Sequence, residues 1–478
     1  LAQLSRKLFD RPLRPVRILQ FGEGNFLRAF VDNFLQVLND LQLIDMNVAV
    51  VQPMPQGRVR DLEAQDGLYT LFLEGVQNGH VVKSHQIIDV LSDFIDPYTQ
   101  LGKYLNDAHN PELQIVFSNT TEAGIVFVPE TITFDKTPDS FPGKLLQFLY
   151  ARYLHFQGDL SKTLDIVACE LIDDNGEMLR QTLSELAVHN RMDPKFIHWL
   201  IEENRFYNTL VDRIVPGYPK AEAKELEETL GYMDHSMVKG EIFHLWVIEG
   251  PDHLAKLLPF EESGLEVFYV DSIKPYKQRK VKILNGSHTA MVPIAYLLGK
   301  RAVKESIEDA LIEPFVKRFV FEDVVPTIDL PEADMKKFAS SVFERYQNPF
   351  IHHLLMSIAL NSVSKYKSRI LPSVVDSLSK NHFPTCALFA LSALIVFYRG
   401  IDEQGQPIAL NDEARFLELF RDLWATGNAR HVVESVLAHP FWETSVFGRR
   451  DVREFVATEA QIIVSHGIRF ALEKLLKG

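Results

Sequence analysis

Three residues in one short stretch have side chains suited to moving a proton at a carbonyl oxygen. In KPYKQRKVKILNGSHTAMVPIAYLLGK, residues 274–300, Lys280, Asn285 and His288 stand at i, i+5 and i+8. At about 100° per residue on an α-helix they fall at roughly 0°, 140° and 80°, so one half of the surface carries all three. Asn285 and His288 are direct i, i+3 neighbours. Lys280 lies about 12 Å along the axis from His288, so its side chain must reach forward or the helix must bend. Reducing a ketone needs a hydride source on one face of the carbonyl, a proton donor at the oxygen, and neutral donors to polarise that oxygen. A lysine can give the proton if neighbours lower its pKa towards the working pH. Lys274, Lys277, Arg279 and Lys282 surround Lys280 with like charge. The amide of Asn285 and the ring of His288 can hydrogen-bond the developing oxyanion. The spacing by itself also fits a solvated basic face followed by an Asn-Gly turn.

The elements that would position this chemistry can be read along the chain. VRILQF, residues 16–21, reads as a buried strand running into Gly22-Glu23-Gly24-Asn25-Phe26-Leu27-Arg28-Ala29-Phe30 and an amphipathic helix to about Leu38. Glycines in such a turn let backbone approach a pyrophosphate, and the helix start stabilises its charge. Leu27 replaces the third glycine of GxGxxG, and an ordinary βα turn has the same pattern. Residues 48–51 read as the next strand. Gln52 stands at its end, where an acid would hold the ribose hydroxyls of NAD, with Arg58 and Arg60 close behind. The residues themselves therefore leave NADP open. LQIVFS, 113–118, is another buried strand and ends in Asn119-Thr120-Thr121-Glu122-Ala123-Gly124. Polar residues after a parallel strand belong at the ligand-binding edge of the sheet, although a capped loop entering a helix reads the same.

A helix over 140–156, strands over 164–169, 243–248 and 265–270, and the Asp212-Arg213 pair (structural ion pairs or substrate ligands) fill out the first half. From Val281 the pattern is helical almost throughout, with loops near 326–331, 348–349, Pro372 and 405–407. This switch marks a domain boundary. The fold class expected is α/β: an N-terminal Rossmann-like dinucleotide-binding domain over 1–275 and a mostly α-helical substrate domain over 276–478. Lys280 sits at the switch, as suits a cleft.

A net charge of −14 argues against a nucleic-acid footprint. An anionic substrate would need a local positive patch, and residues 274–282 hold five basic residues in nine. Two cysteines make no disulfide framework, so a reducing cytoplasm is expected. The N-terminal stretch lacks the apolar core of a signal peptide. The longest apolar run, CALFALSALIVFY at 386–398, is too short to span a bilayer and reads as a buried helix. His352-His353 comes without an accompanying ligand motif, so no metal is expected. Oligomeric state is not legible.

KxxxxNxxH, as Lys280, Asn285 and His288, resembles the signature of the long-chain polyol dehydrogenases, the mannitol dehydrogenase family. GEGNFLRAF resembles the family's GxGxFxRA, SNTTEAG its segment beside the cofactor, and NTLVDRIVP its NTxVDRIxP. CELIDDNG and PYKQRKVKILNGSHTA are similar to the branch of tagaturonate reductases, or altronate oxidoreductases. The resemblance covers nearly the whole chain. It implies a metal-free, NAD-linked reductase in which Lys280 is the general acid/base and Asn285 and His288 bind the reacting oxygen. It places NAD against Phe21, Gly22, Gly24, Asn25, Phe26, Gln52, Asn119, Thr121 and Glu122. Mannitol dehydrogenases carry Asp-Asn where this chain has Glu170-Leu171, and the family's second polarising asparagine comes from that segment. Asn175 is the residue expected to take its place. The helical region covers the substrate, which makes Lys365 and Arg369, with Lys277, the expected carboxylate partners; a solvated helix end before a proline reads equally well. The reaction implied is D-tagaturonate plus NADH giving D-altronate plus NAD, in hexuronate catabolism. A fructuronate reductase or polyol dehydrogenase of the same family is the near alternative, and a silent dinucleotide-binding sensor the distant one. The Glu170-Leu171 variant and the dense basic cluster favour an acidic sugar.

Overall fold

The structure is a computed structural model and describes residues 1–477 other than Glu122. The chain forms two compact units. Unit 1 holds residues 1–74 and 82–273; unit 2 holds 75–81 and 274–478.

In unit 1, Val16–Phe21 (β1), Asn47–Val51 (β2), Leu91–Ile95 (β3), Ile115–Ser118 (β4), Asp165–Ala168 (β5), Arg205–Asp212 (β6), Leu245–Glu249 (β7) and Val267–Val270 (β8) make one eight-stranded sheet among the described residues. Its order is 8-7-6-5-4-1-2-3, and every pairing is parallel except β6 with β7. The 3-2-1-4-5-6 portion is the doubly wound order, and its topological switch falls between β1 and β4. The inner strands are continuously apolar because both faces are covered. Ile18, Val48, Val50, Ile115 and Phe117 point into one core; Leu19, Phe21, Ala49, Val51 and Val116 point into the other. Alternation along each strand thus divides its residues between two helical layers.

The helix expected after β1 is two, Asn25–Ala29 (α1) and Val31–Asp40 (α2), broken at Phe30 with φ −124° and ψ −84°. The carbonyls released at the break are taken by side chains. Tyr69 donates its hydroxyl to the Arg28 carbonyl at 2.8 Å, and Arg213 Nη1 donates to the Ala29 carbonyl at 2.6 Å. Phe141–Phe156 (α3) starts where Ser140 accepts the Gly143 N–H and Pro142 sits in the first turn. Asn175–His189 (α4) follows β5.

In unit 2, Lys274–Arg279 (α5) runs through a π-turn, Lys280–Asn285, into Gly286–Leu297 (α6). Then come Glu332–Tyr346 (α7), Ser362–Arg369 (α8), Leu371–Ser379 (α9), Thr385–Phe397 (α10), Arg450–His466 (α11) and Ile468–Lys477 (α12), with shorter helices between them. Every residue of α10 from Cys386 to Phe397 is buried, and α6 and α11 pack on it. Pro372, expected in a loop, lies instead in the first turn of α9, where its missing N–H has no helical partner to lose. Cys169 and Cys386 are buried free thiols. Among the described residues no helix is long and apolar enough to cross a membrane.

Candidate active site

The turn after β1 is shaped by Gly22, whose φ of +123° favours glycine. A Cβ there would meet the Asn119 carbonyl oxygen at 3.1 Å and Leu27 Cδ1 at 3.2 Å. Gly24 differs: among the described residues, chain neighbours aside, no atom lies within 4 Å of where its Cβ would be. One glycine makes the turn, and the other leaves backbone open to a ligand at the carboxyl edge of the sheet. These residues fit a dinucleotide pyrophosphate. Beneath the turn, buried Arg28 donates to the Glu23 carbonyl (3.0 Å), to Asn25 Oδ1 (2.8 Å) and to the Ser236 carbonyl, with its guanidinium 5.1 Å from the centre of the Tyr69 ring. The Tyr69 hydroxyl also lies 3.1 Å from Asp32 Oδ2. Asp32 is fully buried, and burial pushes its carboxyl up to about 7.

The residues expected to bind cofactor fall into two sets. Gly22, Gly24, Asn25 and Phe26 lie on the turn and the start of α1, with Phe26 stacked on Phe30 at 4.9 Å. The side chain of Phe21, by contrast, is core, packed on Phe141 at 5.1 Å. Gln52 is buried, and its Nε2 donates to the Pro55 carbonyl at 3.2 Å, so its amide shapes the loop after β2. Arg58 and Arg60, which left NADP open, pair with Asp61 and Glu63 at 2.7 and 2.9 Å. Asn119 ties three strand ends together: its N–H donates to the Phe21 carbonyl (3.2 Å) and its Nδ2 to the Cys169 carbonyl (2.6 Å). Thr121 is exposed, and Glu122 lies outside the described residues.

Glu170 has a role the sequence did not disclose. Its buried carboxylate accepts from Ser118 Oγ at 3.0 Å and from the Thr120 N–H at 3.1 Å, holding the loop after β4, and burial raises its pKa. Asn175 departs from expectation. Its Nδ2 donates to the Glu170 and Thr209 carbonyls at 3.0 and 3.1 Å, while its Oδ1 accepts from the N–H groups of Gly176 and Thr209 at 2.9 and 2.8 Å. Both amide hydrogens are engaged with backbone, so this residue secures the β5–α4 turn to β6 and leaves no donor for a substrate oxygen. Arg213 is structural too, donating to Ala29, Asn33 and Phe243.

In unit 2 the π-turn changes the geometry expected of an α-helix. The Gly286 N–H reaches the Val281 carbonyl five residues back. A turn closed over five residues brings Lys280 and Asn285 nearer to one face than α-helical geometry, which would separate them by about 140°. His288 follows within the first turn of α6. Its Nε2 is buried and has no hydrogen-bond partner among the described residues. Its ring lies against Tyr346 (4.4 Å between centres, 30° between planes) and edge-on to His353 (5.2 Å). Burial, followed by the charges of His353, Arg345, Arg369 and Lys365, drives its pKa well below the usual value, so the ring is neutral. Arg369 Nη1 donates to Thr289 Oγ1 at 3.2 Å, and Thr289 donates to the Asn285 carbonyl at 2.9 Å. Lys365, one turn before Arg369, donates to the Ile358 carbonyl at 2.7 Å. Asn285, His288, Lys365 and Arg369 are thus brought into one electrostatic neighbourhood. Lys277 lies on α5, one turn before Lys280. Two members of the basic run are anchored in packing: Lys282 to Thr327 and Asp376, and Arg279 over the rings of Phe338 and Tyr276.

Two descriptions match the chain in tandem: "Mannitol dehydrogenase Rossmann domain" over residues 16–262 and "Mannitol dehydrogenase C-terminal domain" over 272–463. The chain belongs to the mannitol dehydrogenase family. Family membership makes it an oxidoreductase and accounts for a Rossmann sheet followed by a helical unit. Similar relatives include altronate oxidoreductases from Pectobacterium carotovorum subsp. carotovorum (42% identity, 98% of this chain and 99% of the relative), from Bacteroides thetaiotaomicron (42%, 92% of each), and from Escherichia coli O17:K52:H18 (42%, 99% of each). Among solved structures, the substrate-free crystal structure of a D-sorbitol dehydrogenase aligns with a TM-score of 0.82 at 22% identity, over 98% of this chain and 100% of that one. The Pseudomonas fluorescens mannitol 2-dehydrogenase, a ternary complex with NAD and D-mannitol, aligns at 0.63 and 21%, over 99% of both. At these identities the likeness is one of fold.

Proposed function

We propose that this chain is an NAD-linked, metal-independent reductase of a keto-uronate that interconverts D-tagaturonate and D-altronate in hexuronate catabolism in the cytoplasm, with residues 1–275 binding cofactor and 276–478 binding substrate. The observation that carries the reading is the neutral His288, its buried Nε2 without a hydrogen-bond partner among the described residues, amid the charges of Lys365, Arg369 and Arg345. A buried polar atom left without a partner costs stability, and a ligand oxygen would satisfy this one. The surrounding cations suit a substrate carrying a carboxylate. The names of the full-length relatives support the same substrate, and the NAD of the mannitol 2-dehydrogenase complex supports the cofactor.

When bound, the nicotinamide supplies a hydride to the keto carbon, or takes one from the alcohol. Lys280 gives its proton to the carbonyl oxygen in reduction and receives the hydroxyl proton in oxidation. The Asn285 amide and the neutral His288 ring donate to that oxygen as charge develops, and a neutral imidazole polarises it without competing for the proton. Arg369 and Lys365 hold the carboxylate, and Lys277 adds positive field.

The test is NADH oxidation by purified, metal-stripped protein offered tagaturonate, fructuronate and fructose separately, alongside Lys280→Ala. Turnover with tagaturonate, reduced at least about a hundredfold in Lys280→Ala while NADH still binds, is expected. Preference for fructuronate or fructose would overturn the substrate, and undiminished turnover in Lys280→Ala would overturn the mechanism. Tight NADH binding without turnover on any of the three would point to a sensor.

A further inference from the structure

The π-turn between Lys280 and Asn285 is held from outside the helix. Tyr346, the last residue of α7, is buried and donates its hydroxyl to the Leu284 carbonyl at 2.8 Å. That hydroxyl also lies 2.7 Å from Ser287 Oγ, which bonds the Ile283 carbonyl and lies 3.2 Å from that of Leu284. A π-turn shifts carbonyls out of the regular i→i−4 ladder, and these two hydroxyls occupy the carbonyls at its end. The same Tyr346 ring faces the His288 imidazole at 4.4 Å. One side chain therefore touches both the turn that phases Lys280 with Asn285 and the ring of His288.

We propose that Tyr346 and Ser287 are positioning residues of the active site. Their hydroxyls keep the segment in π geometry, and the tyrosine ring fixes the plane of His288, so that Lys280, Asn285 and His288 address one oxygen. The proposal rests on the reading of those three as the reacting groups. Without the hydroxyl pair the segment relaxes towards α geometry, which turns Lys280 by about 100° relative to the residues that follow.

Tyr346→Phe keeps the ring and removes the hydroxyl; Ser287→Ala removes the other member and decides the matter if the first variant does not fold. Each is expected to lower kcat for keto-acid reduction about ten- to a hundredfold, with the Kd for NADH unchanged and the apparent pKa in the kcat/KM profile displaced. The double variant should be little worse than the poorer single, since both act through one turn. Tyr104→Phe is the control. It loses one buried hydroxyl bond, to the Lys144 carbonyl at 2.7 Å in unit 1, and should lower Tm while leaving kcat and the pH profile alone. Tyr346→Phe and Ser287→Ala behaving like this control would overturn the proposal. Lys280→Ala retaining turnover would instead overturn the reading beneath it, so the two failures are distinguishable.

Discussion

Single atoms decide much of this site. The space beside Gly22 is closed by the Asn119 carbonyl oxygen at 3.1 Å, and the backbone there has φ +123°. Gly22→Ala is therefore expected to cost about 1–3 kcal/mol in urea unfolding and to weaken NADH binding in a fluorescence titration. Unchanged affinity would show that the turn does not shape the cofactor site. Lys280, Asn285 and His288 could be grouped as candidates from the sequence because they lie within nine residues of one another, where chemical type and spacing can be read together. Tyr346 was not legible, since its partner Leu284 lies 62 positions away. Neither was the carboxylate of Glu170, which serves a serine 52 positions earlier. Asn175 was misread for the same reason: the Thr209 backbone that engages its amide lies 34 residues on, and nothing local announces it.

The central strands could be read because helices cover both sheet faces, leaving continuous apolar runs that stand out without any partner being known. Their ends were less clear. The strand expected over 113–118 begins at Ile115. The break at Phe30 and the π-turn were invisible, since Tyr69 and Arg213 at the one and Tyr346 at the other are distant in sequence and take carbonyls from the helix. The β5–α4 turn gives an element-scale prediction. Asn175→Ala abandons buried backbone groups of Glu170, Thr209 and Gly176, so it should cost about 2–4 kcal/mol in denaturant unfolding. The kcat of the folded fraction should stay close to that of the unsubstituted chain. A collapse of kcat with stability intact would return Asn175 to the oxyanion.

For the molecule as a whole, buried titratable groups set how stability varies with pH. Burial lifts Asp32 to about 7, against about 3.9 in an unfolded chain. Between those values the native state holds a proton that the unfolded state has released. The stability this group contributes therefore declines as pH rises from about 4 to 7 and is gone above that. Asp32→Asn lacks this slope, so its stability relative to the unsubstituted chain should improve from pH 5 to pH 8 by roughly 2–4 kcal/mol in urea titrations. His244, depressed to about 4 mainly by burial, contributes the opposite slope, present above about 6.5 and lost as pH falls towards 4, but it is common to both proteins and cancels. Identical pH dependence in the two would mean that Asp32 is ionised in the folded state. The two thiols have a use beyond what they suggest about compartment. Cys169 lies in unit 1 and Cys386 in unit 2, each buried and pushed by that burial away from the reactive thiolate. Each unit thus carries its own silent timer. The rate at which a thiol reagent reaches either cysteine in rising denaturant measures the opening of that unit alone, and a shared or separate rate tells whether the chain unfolds in one act or two.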